Sequence, residues 1–400
     1  MTASNQILPP PTERYTILNW LRKNLFQNWL SSIVTLVMLY VIFVSLRGIL
    51  VWTLTEGQWQ VIIANLRLLM VGQYPLQQIW RIWIAVGIFG ALIGLSWGLW
   101  IRQKLAATLI TLGGPFLLAL LPVDTATRLT WVGVGFITAA GFGLARVFPR
   151  FLRRIVLVAW LVYLPVVLLL VRGWTAENGP IPTVGTNIWG GLMLSGLIAA
   201  VGIILSFPIG AALAIGRMSR YPLISAFCVV YIELIRAVPL ITVFFMSQTM
   251  LPLFLPSGFN IDPLMRAMTA FTLFNAAYMA ENVRGGLQAI PKGQHEAAAA
   301  LGLSSFQSLR LIILPQALRN ILPILTASVI GSFRDTSLVM IVGLLDFLGI
   351  ARVVLAQPQF LGRHIEVYIF LAFVYWLISY IVSYIGQMIE ARTGVDATRR

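Results

Sequence analysis

Residues 296–315 read EAAAALGLSSFQSLRLIILP and lie between two long apolar stretches of the chain. Glu296 leads into four alanines and a leucine, which are strong helix formers, and Gly302 then supplies a helix stop. Pro291, a few residues upstream, suits a first helical turn. The pattern predicts a short helix that ends at a glycine.

A second short helix is predicted directly after the glycine. Ser304 with Gln307 three residues later is a capping-box pattern, and the helix is expected to run to Pro315. Residues 291–315, called the elbow below, are either a solvated connector or a docking element. An alanine face has little bulk, so a partner groove can close on it. A connector needs neither the glycine nor the alanine run, which favours docking.

The rest of the chain predicts an all-α polytopic membrane protein. Of its 400 residues 59% are hydrophobic and 10% are charged, and the mean hydropathy is +0.88. About ten transmembrane helices are expected, at 29–46, 82–101, 105–121, 129–145, 155–171, 187–216, 222–251, 264–284, 318–341 and 365–388. An apolar stripe within 59–70 predicts a further helix in the membrane interface, with an extension of the first span as the alternative.

The basic residues give the orientation and exclude a nucleic-acid partner. The net charge of +15 is spread over short loops, and most of the 28 Lys and Arg residues fall on the side that holds both termini. Both termini and the elbow are therefore predicted to be cytoplasmic. The predicted segments are a tail 1–28, a membrane extension of about five spans 29–172, an external loop 173–186, a core 187–390 and a tail 391–400.

The sequence offers no set of residues for catalysis or metal binding. Cys228 lies in an apolar run, and His295 and His364 have no ligand-type residues at metal spacing. No phosphate-binding glycine loop is present, so ATP would have to be bound by another subunit. Gly202, Ser206, Gly210 and Ala214 form a stripe of small residues that favours helix packing within the chain over a subunit interface.

Charges inside the predicted spans suggest a substrate route. Such charges cost roughly 2.5–3.5 kcal/mol each at mid-bilayer and usually face a partner or a wet cavity. An amino acid carries a carboxylate and an ammonium group, so its site needs a guanidinium and an acid close together. The candidates are Glu233, Arg236, Asn275, Tyr278, Arg334 and Asp335. The alternative is that these are structural ion pairs between helices.

The elbow carries a resemblance to a known family. Its pattern resembles the cytoplasmic signature of permease subunits of binding-protein-dependent ABC importers, through Glu296, Ala297, Ala298, Gly302, Ile312, Leu314 and Pro315. The stretches YIELIRAVPLITVFFM (231–246) and FRDTSLVMIVGL (333–344) look like the polar amino-acid branch of that family. The resemblance covers about 185–393, and the first 180 residues resemble only the longer permeases with extra N-terminal spans.

The resemblance implies a partner list and a location. It implies a type I permease core in a bacterial plasma (inner) membrane, with cytoplasmic ATP-binding subunits, a second permease subunit and an external amino-acid-binding protein. ATP and magnesium would bind the ATPase, with no cofactor on this chain, and the segment from Glu296 to Leu301 would insert into it. An ion-coupled secondary amino-acid transporter is the alternative, although the inverted repeats it would need are not visible. An intramembrane enzyme is a third possibility that no motif supports.

Overall fold

The computed structural model describes residues 17–101, 105–176, 179–256 and 258–393. These ranges contain sixteen α-helices, numbered in chain order: α1 Ile17–Asn24, α2 Trp29–Thr55, α3 Gln60–Val71, α4 Trp80–Trp100, α5 Leu105–Leu118, α6 Thr125–Val147, α7 Pro149–Arg172, α8 Gly191–Arg217, α9 Pro222–Ala237, α10 Leu240–Phe245, α11 Pro263–Gln288, α12 Lys292–Ala300, α13 Ser305–Ser308, α14 Leu314–Asp335, α15 Phe347–Leu355 and α16 His364–Thr393. The predicted all-α fold class is confirmed.

The chain divides into two compact units, Met1–Trp59 and Gln60–Arg400. In the first unit Asn28 precedes α2 in an extended conformation and forms a capping box with Ser31. No residue of α2 is buried, and its apolar side chains point in every direction around the helix. A 27-residue helix of this kind is long enough to cross a bilayer and is suited to contact with lipid.

The number of apolar spans is lower than the ten predicted. Seven described helical segments are long and apolar enough to cross a membrane, or eight when one bent pair is counted as a single span. Helices form at both remaining positions. At 105–121 the helix is α5, which has only 14 residues and contains Pro115. At 264–284 it is α11, which has 26 residues but carries Arg266, Glu281 and Arg284.

The predicted span 222–251 is not one straight helix. Helix α9 ends at Ala237, and the following helical segment Leu240–Phe254 leaves it at an angle of 103°. Pro239 causes the break, because it has no N–H to donate and it forces Val238 into an extended conformation. The carbonyl of Pro239 instead accepts the amide of Thr242 and so begins the next helix.

Helix α3, predicted to lie in the membrane interface, is packed inside the second unit against α8, α15 and α16. Val61, Ile62 and Leu69 are buried. Asn65 is also buried and accepts a 3.0 Å hydrogen bond from Gln357 Nε2. The alternative, an extension of the first span, is wrong because α2 and α3 are separate helices.

Two hydrophobic clusters follow each other along the second unit. The first is formed by α3, α4, α7, the first halves of α8 and α11, and the segment after α14. The second is formed by the last turns of α8 and α11 together with Ile290, Ile313 and Ala317, so it holds the elbow onto the bundle. The first cluster contains residues from both sides of the predicted boundary loop 173–186, which therefore lies within one compact unit.

Small residues allow α8 and α11 to approach closely. A Cβ atom on Gly210 would lie 2.6 Å from Met279 Cβ, and one on Gly202 would overlap the ring of Phe271. Ser206 and Ala214 of the same stripe are buried as well. The prediction that this stripe serves packing within the chain is confirmed.

Candidate coupling elbow and polar cleft

The first helix of the elbow is α12, and its end is set by Gly302. Gly302 has φ +73°, a left-handed conformation that favours glycine. Its amide donates to Ala299 O at 2.9 Å and the amide of Leu303 donates to Ala298 O at 3.1 Å, which is a Schellman termination. The predicted glycine stop is confirmed by this geometry.

The second helix begins as predicted and ends differently. Gln307 N donates to Ser304 Oγ at 3.3 Å and Ser304 N donates to Gln307 Oε1 at 2.9 Å, so both halves of the capping box are present. The helix does not stop at Pro315. A π-helical turn, Leu309–Ile313, carries it into α14, in which Pro315 is the second residue.

The signature residues divide between two sides of the elbow. Ala298 is fully buried, and Ile312 and Leu314 are partly buried against the bundle. The other signature residues are exposed: Glu296, Ala297, Gly302 and Pro315. Leu301, the end of the segment expected to insert into the ATPase, is exposed as well. One side of the elbow is thus fixed to the helices that cross the membrane, and the other is free.

The free side carries large apolar residues. Leu301 is 76% exposed, and Phe306 and Leu311 are 69% and 62% exposed. Phe306 and Leu311 did not stand out in the sequence, because a leucine or phenylalanine in an apolar run gives no sign of which side it faces. Leu301 directly precedes the exposed Gly302, and Phe306 and Leu311 follow it. These three residues are called the apolar rim below.

A second group of residues forms an ion-pair cluster at the elbow end of the bundle. Glu281 on α11 accepts Arg217 Nη1 at 2.7 Å and Arg284 Nη2 at 2.6 Å, and Arg236 Nη1 lies 3.5 Å away. Arg217 also pairs with Glu233 at 3.0 Å. The cluster therefore joins the ends of α8 and α9 to α11.

Two of the predicted route residues, Glu233 and Arg236, belong to this ion-pair cluster. They do not pair with each other, since each bonds to a residue of another helix. The sequence missed Glu281 as the central carboxylate, although its i, i+3 spacing to Arg284 was a visible signal.

A small polar cleft lies between α8, α11 and α14. One of its lining residues, Asn282, directly follows Glu281 of the ion-pair cluster. Ser332 Oγ donates to Asn275 Oδ1 at 2.7 Å, and Asn282 Nδ2 donates to Ser328 Oγ at 3.2 Å. Tyr278 also lines the cleft. The volume is about 20 Å³, enough for a water molecule, so a larger solute needs the helices to move apart.

The structure brings together some of the predicted route residues and separates others. Asn275 and Tyr278 both line the cleft, and the guanidinium carbon of Arg236 lies 5.5 Å from the centre of the Tyr278 ring. Arg334 donates instead to Ser379 of α16 at 3.3 Å, and neither it nor Asp335 lines the cleft. Residues two apart on a helix do not face the same way, so Ser332 reaches the cleft while Arg334 does not.

Comparison with known proteins gives a consistent set of relatives. The binding-protein-dependent transport system inner membrane component family matches residues 206–395. The inner membrane amino-acid ABC transporter permease protein YhdY of Escherichia coli strain K12 is 35% identical over 389 residues, which is 95% of this chain and 94% of that protein.

Two further relatives differ in length. The glutamate/glutamine/aspartate/asparagine transport system permease protein BztC of Rhodobacter capsulatus is 33% identical and covers 97% of this chain and 96% of its own length. The glutamate/aspartate import permease protein GltK of Escherichia coli O157:H7 is 35% identical over 208 residues, 51% of this chain and 92% of its own length. The first two alignments therefore include the N-terminal part of the chain, and the third covers only about half of the chain.

Proposed function

Because this chain belongs to the inner-membrane permeases of amino-acid ABC importers, we propose that its elbow is the site at which a separate ATPase subunit drives transport. Membership of this family makes the chain a multi-pass transport protein of the inner membrane. It also decides against the ion-coupled secondary transporter.

The observation that carries this proposal is the two-sided structure of the elbow. Ile312, Ile313 and Leu314 pack into the bundle, while the apolar rim is exposed to solvent. A force applied to the rim is transmitted to α11 and α14, because the elbow is held to both by buried apolar contacts. Exposed apolar residues at a short helix suit insertion into a groove of a partner protein.

The proposed assembly follows from this placement. The elbow and both termini lie in the cytoplasm, where ATP-binding subunits bind ATP and magnesium. A second permease subunit, either the same chain or a related one, completes the membrane part. An external binding protein delivers the amino acid on the opposite side.

The cleft and the ion-pair cluster are the proposed substrate route through this chain. The cleft offers hydrogen-bonding groups that could receive the polar parts of an amino acid once the helices separate. Arg236, beside the Tyr278 ring, is the cation best placed to meet a carboxylate there. Polar amino acids fit these groups, in keeping with the acidic and amide amino acids in the names of the relatives.

The proposal is tested by purifying the tagged full-length chain from its native membrane. We expect a soluble ATPase to copurify with the wild-type chain and to be lost when Leu301→Glu and Phe306→Glu place charges on the apolar rim. Leu253→Glu and Phe254→Glu are the matched control, because these residues are 80% and 78% exposed but lie outside the elbow. Copurification that survives the rim variant would contradict the docking role.

A further inference from the structure

An arginine-rich turn joins α6 to α7, and neither the coupling elbow nor the substrate route uses it. The turn has four exposed arginines, Arg146, Arg150, Arg153 and Arg154, called the arginine turn below. A single residue, Phe148, separates the two helices. Three of the arginines stand within the first six residues of α7, where the 3 and 4 residue spacings bring their side chains to neighbouring positions.

The positive charges of the arginine turn have no acidic partner among the described residues. None of its four guanidinium groups forms an ion pair with an acidic side chain in the part of the chain that the structure describes. Arg146 donates to the carbonyl of Ile101 at 3.0 Å, and its guanidinium lies 5.1 Å from the centre of the Phe142 ring. The first turn of α7 contains no acidic residue either. Like charges at these spacings destabilise a helix unless an anion offsets them.

The face of α7 that carries the arginines continues as an exposed apolar surface. Leu157, Val158 and Leu161 are 57%, 59% and 75% exposed. Leu157 and Val158 come three and four residues after Arg154, and Leu161 lies one helical turn beyond them. The opposite face of the same helix is buried at Val156, Leu164 and Val167. One outward face therefore changes from guanidinium groups to aliphatic side chains within about one turn, roughly 5.4 Å.

We propose that the arginine turn, with the exposed face of α7, binds an anionic phospholipid. The phosphate diester of the headgroup takes the guanidinium groups, and an acyl chain lies along Leu157, Val158 and Leu161. Guanidinium groups bind phosphate with paired hydrogen bonds, and clusters of Arg and Lys next to a transmembrane helix attract anionic lipid. The exposed Phe148 and Phe151 suit the boundary between headgroups and acyl chains.

The apolar continuation is what favours a lipid over an acidic protein partner. An acidic protein surface at the membrane face would account for the arginines alone. It would leave the aliphatic face of α7 unexplained, whereas a phospholipid has both the anion and the chain in one molecule. The bound lipid would lie beside the ends of α4 and α16, because Arg146 bonds to Ile101 and Arg392 donates to the carbonyl of Trp100.

The experiment is native mass spectrometry of the purified full-length protein in a neutral detergent. After delipidation, phosphatidylglycerol, phosphatidylcholine and inorganic phosphate are titrated separately. The test variant is Arg150→Gln with Arg153→Gln and Arg154→Gln. The matched control is Arg128→Gln with Arg172→Gln, which removes exposed arginines from the opposite ends of the same two helices.

We expect the wild type and the control to retain phosphatidylglycerol in preference to phosphatidylcholine. The test variant should bind phosphatidylglycerol tenfold to about 100-fold more weakly, because it lacks three positive charges that attract an anionic lipid. A triple Arg→Lys variant keeps the charge and should retain the lipid. If the glutamine variant does not fold, the test is made on the wild type alone, from which phosphatidylglycerol should dissociate in molar salt.

Four results would overturn the proposal. The first is equal binding of phosphatidylglycerol by the test variant, and the second is equal retention of phosphatidylcholine by the wild type. The third is loss of a copurifying protein from the test variant with lipid binding unchanged, which would assign the arginine turn to an acidic protein. Displacement of the lipid by equimolar inorganic phosphate would likewise show a simple anion site without an acyl-chain contact.

Discussion

Replacing Gly302 with valine tests whether the bend of the elbow is required for coupling. A Cβ atom on Gly302 would meet no other atom within 4 Å, so the substitution creates no clash. The only cost is the left-handed backbone at φ +73°, which disfavours an L-residue by roughly 1–2 kcal/mol and a β-branched residue most. At about 2 kcal/mol the bent form becomes about 30-fold less favourable relative to other conformations of the elbow.

This shift predicts weaker coupling without loss of the fold. A partner that binds only the bent elbow loses apparent affinity in proportion to the population of that form. We expect Gly302→Val to insert normally but to retain less ATPase, and to lower ATP-driven uptake of a labelled amino acid into vesicles by about tenfold or more. Gly302→Asn should fall between valine and wild type, because asparagine tolerates the left-handed region.

The control for this prediction is a valine at another glycine with a left-handed backbone, outside the elbow. Gly362 lies in the loop before α16, has φ +86° and also meets no atom within 4 Å of its Cβ position. Gly362→Val should leave uptake and ATPase retention close to wild type. Our reasoning is refuted if Gly302→Val transports and retains ATPase as the wild type does, or if both valine variants lose coupling equally.

Two further predictions concern the cleft and the helix packing. Asn275→Ala removes the acceptor of the Ser332 hydroxyl. It should cost about 1 kcal/mol of stability and raise the KM for uptake, while ATPase copurification stays unchanged; an unaltered KM would take Asn275 out of the substrate route. Gly94→Val would drive a side chain into the backbone of Thr138 and should abolish accumulation of folded protein in the membrane. Gly133→Val, where a Cβ atom meets nothing within 4 Å, is its control, and equal membrane levels of the two variants would contradict the packing argument.

The elbow could be predicted almost completely from the sequence, because its determinants are local. A capping box joins residues three apart, and a left-handed glycine follows directly from the end of its helix. The point that sequence missed was the continuation past Pro315. A π-helical turn lies just before that proline and continues the helix into α14, and such a turn leaves no local signal in the sequence.

The candidate substrate route could be predicted only in part. Charged residues in apolar runs are visible one by one, so Glu233 and Arg236 stood out. Their partners depend on how α8, α9 and α11 are rotated against one another, and the structure gives both residues partners on other helices. Glu281 becomes the centre of that cluster only after the three helices are packed.

The sequence by itself determined the membrane class, the approximate positions of the helices and the geometry of the elbow. These depend on the length of apolar runs and on contacts between residues a few positions apart. Only the tertiary structure decided which spans are broken or short, and that Asn65 of α3 is buried against Gln357, 292 residues away. The reason is physical: hydropathy records how much a segment avoids water, but not which neighbour it packs against.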